Sequence, residues 1–190
     1  MNSLLLSLVA LSATGLVACT PQGDEPEGII KSSPDRSEHF HPVAVEHLTI
    51  KQRQTFYVPA YSHIYISGQG MLPLAVTLSV RNTDLAHRIL ISQIRYYDTQ
   101  GRVLEDFINR TFALDAMSSV EFVIEQQDMR GGAGANFVVE WMAEDEVSAP
   151  VIETVMAGVD GTRAMAFSSV GRVIKDGGNG AVTRPESPVR

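Results

Sequence analysis

Three side chains with aromatic or hydrogen-bonding groups stand two residues apart in the middle of the chain: Tyr61, His63 and Tyr65. In a strand, successive side chains alternate between the two faces, so all three would share one face. Such a face of aromatic rings around an imidazole could bind a ligand. The plainer interpretation is that the tyrosines fill the margin of a core around a hydrogen-bonded imidazole. We predict these three residues as the leading candidate for a binding site.

A glycine-rich segment, Arg130-Gly131-Gly132-Ala133-Gly134-Ala135-Asn136, is the second candidate. Its backbone N–H groups could face an anion, with Arg130 supplying positive charge. However, no Gly-Lys-Ser/Thr follows, and the next element is predicted to be a strand, so the phosphate-loop pattern is incomplete. A long hairpin loop that needs positive φ angles explains the same glycines. Arg130 and Asn136, at the two ends, complete the predicted set of binding residues.

No metal site, cofactor or catalytic set is predicted. His39 and His41 form a His-x-His pair, but two imidazoles on a flexible segment underfill a four-coordinate site. Ser62 and His63 are neighbours that would point to opposite faces of a strand, so they cannot act as nucleophile and base. The chain also lacks a Gly-x-Ser-x-Gly elbow. We therefore predict that the protein is not an enzyme.

The only cysteine, Cys19, follows an uncharged apolar run over residues 3–18. Sixteen residues of helix span about 24 Å, less than the ~30 Å core of a bilayer, so the run suits a signal peptide better than a membrane span. Leu16-Val17-Ala18-Cys19 resembles a bacterial lipobox, in which the thiol carries a diacylglyceryl group through a thioether. We predict a signal peptide over 1–18 and lipidation of Cys19, with palmitate-type chains anchoring the protein to a membrane.

The predicted location is the cell envelope. Thr20, rather than Asp, follows the cysteine. By resemblance to Gram-negative lipoproteins, this residue indicates the outer membrane, with the protein facing the periplasm. One departure from the signal-peptide pattern is the start, Met1-Asn2-Ser3, which lacks the usual Lys or Arg.

Composition excludes several classes of protein. The 190 residues include 22 acidic and 15 basic side chains, a net charge of −7, so the basic footprint of a nucleic-acid binder is missing. A single cysteine allows no internal disulfide and no cysteine-cluster zinc site. The length suits one domain with terminal extensions.

The mature chain is divided by composition into three parts. Residues 19–52 are rich in Pro, Ser and acidic residues and are predicted to be a lipidated N-terminus and flexible tether. Residues 53–175 are predicted to form the globular domain, and residues 176–190, with Gly and Pro punctuation, a disordered tail.

The pattern inside 53–175 is that of strands. Apolar residues alternate with polar ones at Leu74, Val76, Leu78 and Val80, which is the mark of a half-buried strand. The same alternation recurs at Val120, Phe122 and Ile124 and at Phe137, Val139 and Trp141. Asp98-Thr99-Gln100-Gly101 fits a type I turn between two strands. The absence of a convincing amphipathic helix completes an all-β pattern, for which we predict a single β-sandwich of the Ig-like or fibronectin-like kind.

Several blocks together are similar to one bacterial family, domain of unknown function 3124. The first is Tyr57-Val58-Pro59-Ala60-Tyr61, and a second is Tyr96-Tyr97-Asp98-Thr99-Gln100-Gly101. Further blocks lie, in the same order, within residues 78–84, 121–125, 131–137, 155–158 and 171–174. The resemblance covers essentially all of 53–175. It implies an uncharacterised envelope protein, often carrying a lipobox, and it supplies no catalytic residues.

The functional expectation that follows is a lipid-anchored protein whose sandwich is a non-catalytic binding or interaction module, with an envelope protein as a possible partner. A small sandwich fills its interior with its own side chains and presents loops and sheet edges for recognition. The alternative is a periplasmic carrier of a small ligand or metal.

Overall fold

The computed structural model describes residues 29–30, 38–66 and 70–177. Within these ranges the regular structure consists of strands, without helices. The predicted signal peptide and Cys19 lie outside the described residues, as do parts of the predicted tether and tail. The strands are β1 (Ile29–Ile30), β2 (Phe40–Pro42), β3 (Gln52–Pro59), β4 (His63–Ile66), β5 (Gly70–Pro73), β6 (Ala75–Arg81), β7 (Ile89–Tyr97), β8 (Val103–Asp106), β9 (Phe112–Leu114), β10 (Ser119–Ile124), β11 (Asn136–Ala143), β12 (Val151–Asp160), β13 (Arg163–Val170) and β14 (Arg172–Asp176).

The strands form two large antiparallel sheets and a hairpin. Sheet A has the order β1-β10-β6-β12-β13, and sheet B has the order β14-β3-β11-β7-β9-β2, with β8 also paired to β7. Among the strands that the structure describes, β4 and β5 pair only with each other. Consecutive strands often lie in different sheets, as β10, β11 and β12 do, so the connections tie the two sheets together.

One core lies between the two sheets, and the alternation in the sequence predicts which side chains fill it. Leu74, Val76, Leu78 and Val80 are fully buried on one side. They belong to the same cluster as Phe137, Val139 and Trp141 of sheet B. Each sheet thus buries one apolar face against the other, which confirms the predicted single β-sandwich.

The predicted turn between β7 and β8 is also present. The N–H of Gly101 donates to the carbonyl of Asp98 over 3.0 Å, and Gly101 has a φ of 79°, which favours glycine. The Asp98 carboxylate accepts hydrogen bonds from the backbone of Gln100 and Arg102, both at 2.9 Å. The local sequence thus supplies both the conformation and the hydrogen-bond acceptor that this turn needs.

Residues before the predicted N-terminal boundary at residue 53 also pack against the sandwich. Phe40 is buried and stacks on Phe112 with 4.6 Å between the ring centroids. Strand β2 pairs with β9, and the N–H of Val43 donates to the carbonyl of Thr111 over 3.0 Å. Residues 38–52, predicted to be part of a flexible tether, are therefore packed on the sandwich.

A second, smaller core lies on the outer face of sheet B. It contains Leu90, Ala113 and Met142, all buried, and it is separate from the core between the sheets. The apolar side chains that cover it are Val43, Val45, Leu48 and Ile50. The segment 43–50 is thus a cover for one end of this face.

The chain passes from sheet A to sheet B at Gly171, between β13 and β14. A Cβ atom at this position would lie 2.9 Å from the carbonyl oxygen of Ile152 and 3.1 Å from a methyl group of Val58. Only glycine fits this close approach. Beyond it, β14 pairs with β3 as far as Asp176, so the domain includes the first residue of the predicted tail.

Candidate functional site

The Tyr61, His63 and Tyr65 side chains differ sharply in exposure. Tyr61 precedes β4 and packs edge-on against Phe167, with 5.8 Å between ring centroids. His63 is only 8% exposed, whereas Tyr65 is 75% exposed, and their rings meet edge-to-face at 5.3 Å. The predicted binding face therefore reduces to one accessible ring beside a buried imidazole. His63 Nδ1 is buried without a hydrogen-bond partner among the residues described.

Ser62, rather than His63, connects this segment to the glycine-rich loop. Its fully buried hydroxyl accepts a hydrogen bond from the N–H of Gly132 at 2.8 Å. The same hydroxyl lies 3.2 Å from the carbonyl of Met129, to which it donates. From the sequence, Ser62 was a candidate only for a nucleophile, because a serine between Tyr61 and His63 gives no sign that it is a buried structural contact.

Two N–H groups of the glycine-rich loop are hydrogen-bonded to other parts of the protein. The N–H of Gly132 donates to Ser62, and that of Gly134 donates to Thr99 Oγ1 over 3.1 Å. A Cβ atom at Gly131 would collide with the Tyr96 hydroxyl, so this glycine is required by packing. The alternative interpretation, a structural hairpin loop, fits this arrangement better than an anion cradle. Asn136 begins β11 and lies opposite Pro59 and Tyr97 in the sheet.

The charge of Arg130 is taken up by Asp128. Its guanidinium donates to both carboxylate oxygens, at 2.9 and 2.6 Å. Burial opposes ionisation of the Asp128 carboxyl, but the hydrogen bonds from the Arg130 side chain and backbone prevail and lower its pKa. Burial raises the pKa of the neighbouring Tyr96 hydroxyl, which stays neutral. The charge of Arg130 is thus already paired within the loop, with Asp128.

A cavity of about 250 Å³ lies at the opposite end of β3. Its walls include Gln52 and Gln54 of β3, Trp141 of β11, and Asp176 and Gly177 at the end of β14. Trp141 Nε1 and Gln54 Oε1 are both buried and lack a hydrogen-bond partner within the described ranges. We call this space the Trp141 cavity. The sequence pattern predicts no site here, because Trp141 fits the pattern of a core residue.

The outer face of sheet A is the other unusual surface. Much of it consists of small or β-branched residues of β6, β12 and β13, and Val155 and Val159 are 41% and 59% exposed. Arg81 and Glu153 form an ion pair of 3.5 Å farther along the same strands. Three rows cross these strands in register: Thr77, Val155 and Ser168; Ala75, Ala157 and Ala166; Val159 and Ala164. Strand β13 forms the edge of this sheet among the strands described.

The described residues contain neither a metal-binding cluster nor a membrane-spanning helix. No cluster of three or more His, Cys, Asp or Glu side chains suited to a metal ion occurs among the described residues. The His39 ring is hydrogen-bonded to the carbonyl of Ser119 over 3.0 Å, so it serves the fold. In the part of the chain that the structure describes, no helix has the length and apolarity to span a membrane.

The fold and these surfaces define a small all-β sandwich protein. Residues 53–174 match the family described as "Protein of unknown function (DUF3124)", and the chain belongs to this family. The match agrees with the resemblance seen in the sequence. No protein of curated function matches the chain. The crystal structure of Thermotoga maritima 1070 is similar over 63% of this chain and 92% of the other, with 9% identity and a TM-score of 0.37.

Proposed function

We propose that the protein is a lipid-anchored, non-catalytic interaction module of the cell envelope, and that β13 binds an extended segment of a partner protein as an added strand. The observation that carries the proposal is the nature of the β13 edge. Extended peptides add to open sheet edges through main-chain hydrogen bonds, and side chains along the strand supply specificity. The anchor rests on the lipobox-like sequence ending at Cys19.

Strand β13 differs from the other described edges of the two sheets. It has eight residues, contains no proline, and carries its one charged residue, Arg163, at its first position. The other edges are short or charged: β1 has two residues, β2 has three and contains Pro42, and β14 contains Arg172, Lys175 and Asp176. Short, charged or proline-bearing edges resist pairing with another chain. Strand β13 lacks these protections.

The direction of the backbone groups on β13 follows from its register. The N–H of Gly171 donates to the carbonyl of Ile152 over 2.8 Å, in line with the pairing of β12 and β13. In an antiparallel ladder, alternate residues direct their N–H and C=O groups toward the same neighbour. The groups of residues 164, 166, 168 and 170 therefore point away from β12, toward an incoming strand.

The small and apolar part of the outer face next to this edge extends the proposed interface. Ala157, Ala164 and Ala166 are exposed and small, so a partner can approach the sheet closely. The exposed Val155 and Val159 beside them add apolar area. Exposed apolar patches of this kind commonly mark interaction sites on soluble proteins.

Site-specific crosslinking from β13, combined with one proline substitution, tests the proposal in the host's own envelope. A photo-crosslinking residue in place of Ser168 should form an adduct with another protein, whereas the same residue in place of Gln93, on sheet B, should not. Adding Ala166→Pro removes an outward N–H without breaking the ladder to β12, so the adduct should disappear. Ala166→Val, which keeps the N–H, is the matched control and should retain it.

The outcomes that contradict this proposal are distinct. An adduct that persists in Ala166→Pro would exclude strand addition, and equal adducts from both crosslinker positions would exclude a specific site. An adduct between two copies of this chain would contradict a separate partner. The anchor is tested separately: Cys19→Ser should abolish the lipid mass and membrane fractionation, and an unchanged acylated mass would refute lipidation at this residue.

The second candidate function, a carrier of a small ligand, is favoured by one observation. The Trp141 cavity brings together a donor and an acceptor that have no partner within the described residues. Tyr61 packs on Phe167 and Arg130 is paired with Asp128, so neither adds support.

A further inference from the structure

Two of the residues that line the Trp141 cavity each have a buried polar atom without a hydrogen-bond partner among the described residues. Trp141 is 1% exposed, and its indole N–H can only donate. Gln54 Oε1 can only accept. Both atoms are buried without partners in the ranges that the structure describes. Because buried polar groups in proteins are nearly always hydrogen-bonded, to protein or to bound molecules, this pair calls for an occupant.

The two residues are neighbours across adjacent strands. Gln54 of β3 and Trp141 of β11 lie directly opposite each other in the antiparallel register, so their side chains share a face. Both line the same cavity. One bound group can therefore meet the donor and the acceptor together.

A hydroxyl group satisfies both atoms at once. Its O–H donates to Gln54 Oε1, and its oxygen accepts from the indole N–H of Trp141. A carbonyl oxygen could serve only the indole, and an ammonium group could serve only the amide oxygen. The Asp176 carboxylate on the wall of the cavity can accept from a further hydroxyl, whereas the Lys51 ammonium is held by Asp145 at 2.8 Å.

The size of the cavity limits the occupant. Its volume of about 250 Å³ is below the ≈ 300 Å³ at which pockets for drug-sized ligands begin. Liquid water takes ≈ 30 Å³ per molecule, so several hydroxyl-sized groups fit. We propose that the Trp141 cavity binds a small polyhydroxylated molecule, of the size of a single sugar unit, through Trp141 Nε1 and Gln54 Oε1.

Entry requires only a movement of Gln54. Its amide nitrogen donates to Asp176 over 3.4 Å, a long hydrogen bond at an exposed position. Rotation of this flexible side chain therefore breaks one weak contact. The ligand then replaces the hydrogen bond to Asp176 with one of its own hydroxyl groups.

The test uses the single tryptophan of the chain as a reporter. In a ¹H–¹⁵N spectrum of the full-length protein, the indole gives one cross-peak. Titration with glucose, N-acetylglucosamine and glycerol should shift that peak downfield in a saturable manner for at least one of them. Methylammonium, which can donate but cannot accept, cannot serve the indole; it is the negative probe and should leave the peak in place.

Gln54→Leu should weaken the binding of the active polyol about tenfold, the effect of losing one hydrogen bond. Gln93→Leu, on a strand that does not line the cavity, should leave the affinity unchanged. The proposal is overturned if no polyol gives a saturable shift, if methylammonium shifts the peak as much as the polyols do, or if Gln54→Leu binds as tightly as the native chain. The titrations of the native chain with the polyols and with methylammonium decide the matter even if Gln54→Leu does not fold.

Discussion

The outer faces of the two sheets are built from the same kind of strand but meet their surroundings differently. On sheet B, Leu90, Ala113 and Met142 are covered by the segment 43–50. On sheet A, Val155, Val159 and Ala166 are exposed, and nothing among the described residues covers them. The apolar residues on the outer face of sheet B therefore contribute to folding. Those on the outer face of sheet A stay exposed and are available for the proposed binding.

The largest expected effect comes from Phe40, in the strand just before the segment 43–50. Phe40→Ala should lower the free energy of unfolding by about 3–5 kcal/mol, because the ring is buried against Phe112 and Phe122. Urea denaturation followed by far-UV circular dichroism measures the change. If residues 38–52 were a flexible tether, the substitution would be nearly neutral, and the contrast between the two faces would be lost.

A matched pair of substitutions compares the faces directly. Met142→Ala, under the cover, should cost about 2–5 kcal/mol. Val155→Ala, on the bare face, should change the stability by less than about 0.5 kcal/mol, as exposed substitutions usually do. Denaturation midpoints of the two variants provide the measurement. Equal losses would show that the outer face of sheet A is also buried in the folded protein.

A smaller effect, dependent on pH, is expected at the loop that joins the sheets. Asp128→Asn should cost about 1–3 kcal/mol at neutral pH, because the carboxylate receives charged hydrogen bonds from Arg130. The pKa of Asp128 is lowered by folding, so its contribution is complete above the unfolded value of ~3.9 and is lost as the pH falls through the lower, folded value. The stabilities of the native chain and Asp128→Asn should therefore converge in acid. Val155→Ala should show no such convergence, since valine does not titrate.

Much of the fold was predictable because strand alternation reports directly on which face is buried. Val76, Leu78 and Val80 are buried as expected, and the turn at Asp98 and Gly101 is present. The packed segment before residue 53 was missed although Val43 and Val45, then Leu48 and Ile50, alternate in the same way. Each of these two runs is too short to predict a strand by itself, and the Pro and His residues around them resemble a loop.

The candidate sites were harder to predict, since they depend on contacts between distant parts of the chain. Tyr61, His63 and Tyr65 have the spacing of a binding face, but their exposure is set by Phe167 and by the position of the β4–β5 hairpin. The pairing of Gln54 with Trp141 depends on the register of two strands 87 positions apart in the sequence. The open edge at β13 likewise depends on the order of strands, which no local pattern encodes.

Under the membrane anchor proposed above, the crossing at Gly171 has a mechanical consequence. Because β13 continues through Gly171 into β14, a pull on β13 along its length is passed to sheet A through β12 and to sheet B through β3. To detach β13, the force would have to shear the β12–β13 and β3–β14 ladders, in which many hydrogen bonds share the load. A strand joined to one sheet alone would unzip one bond at a time, so this corner suits β13 to bear tension.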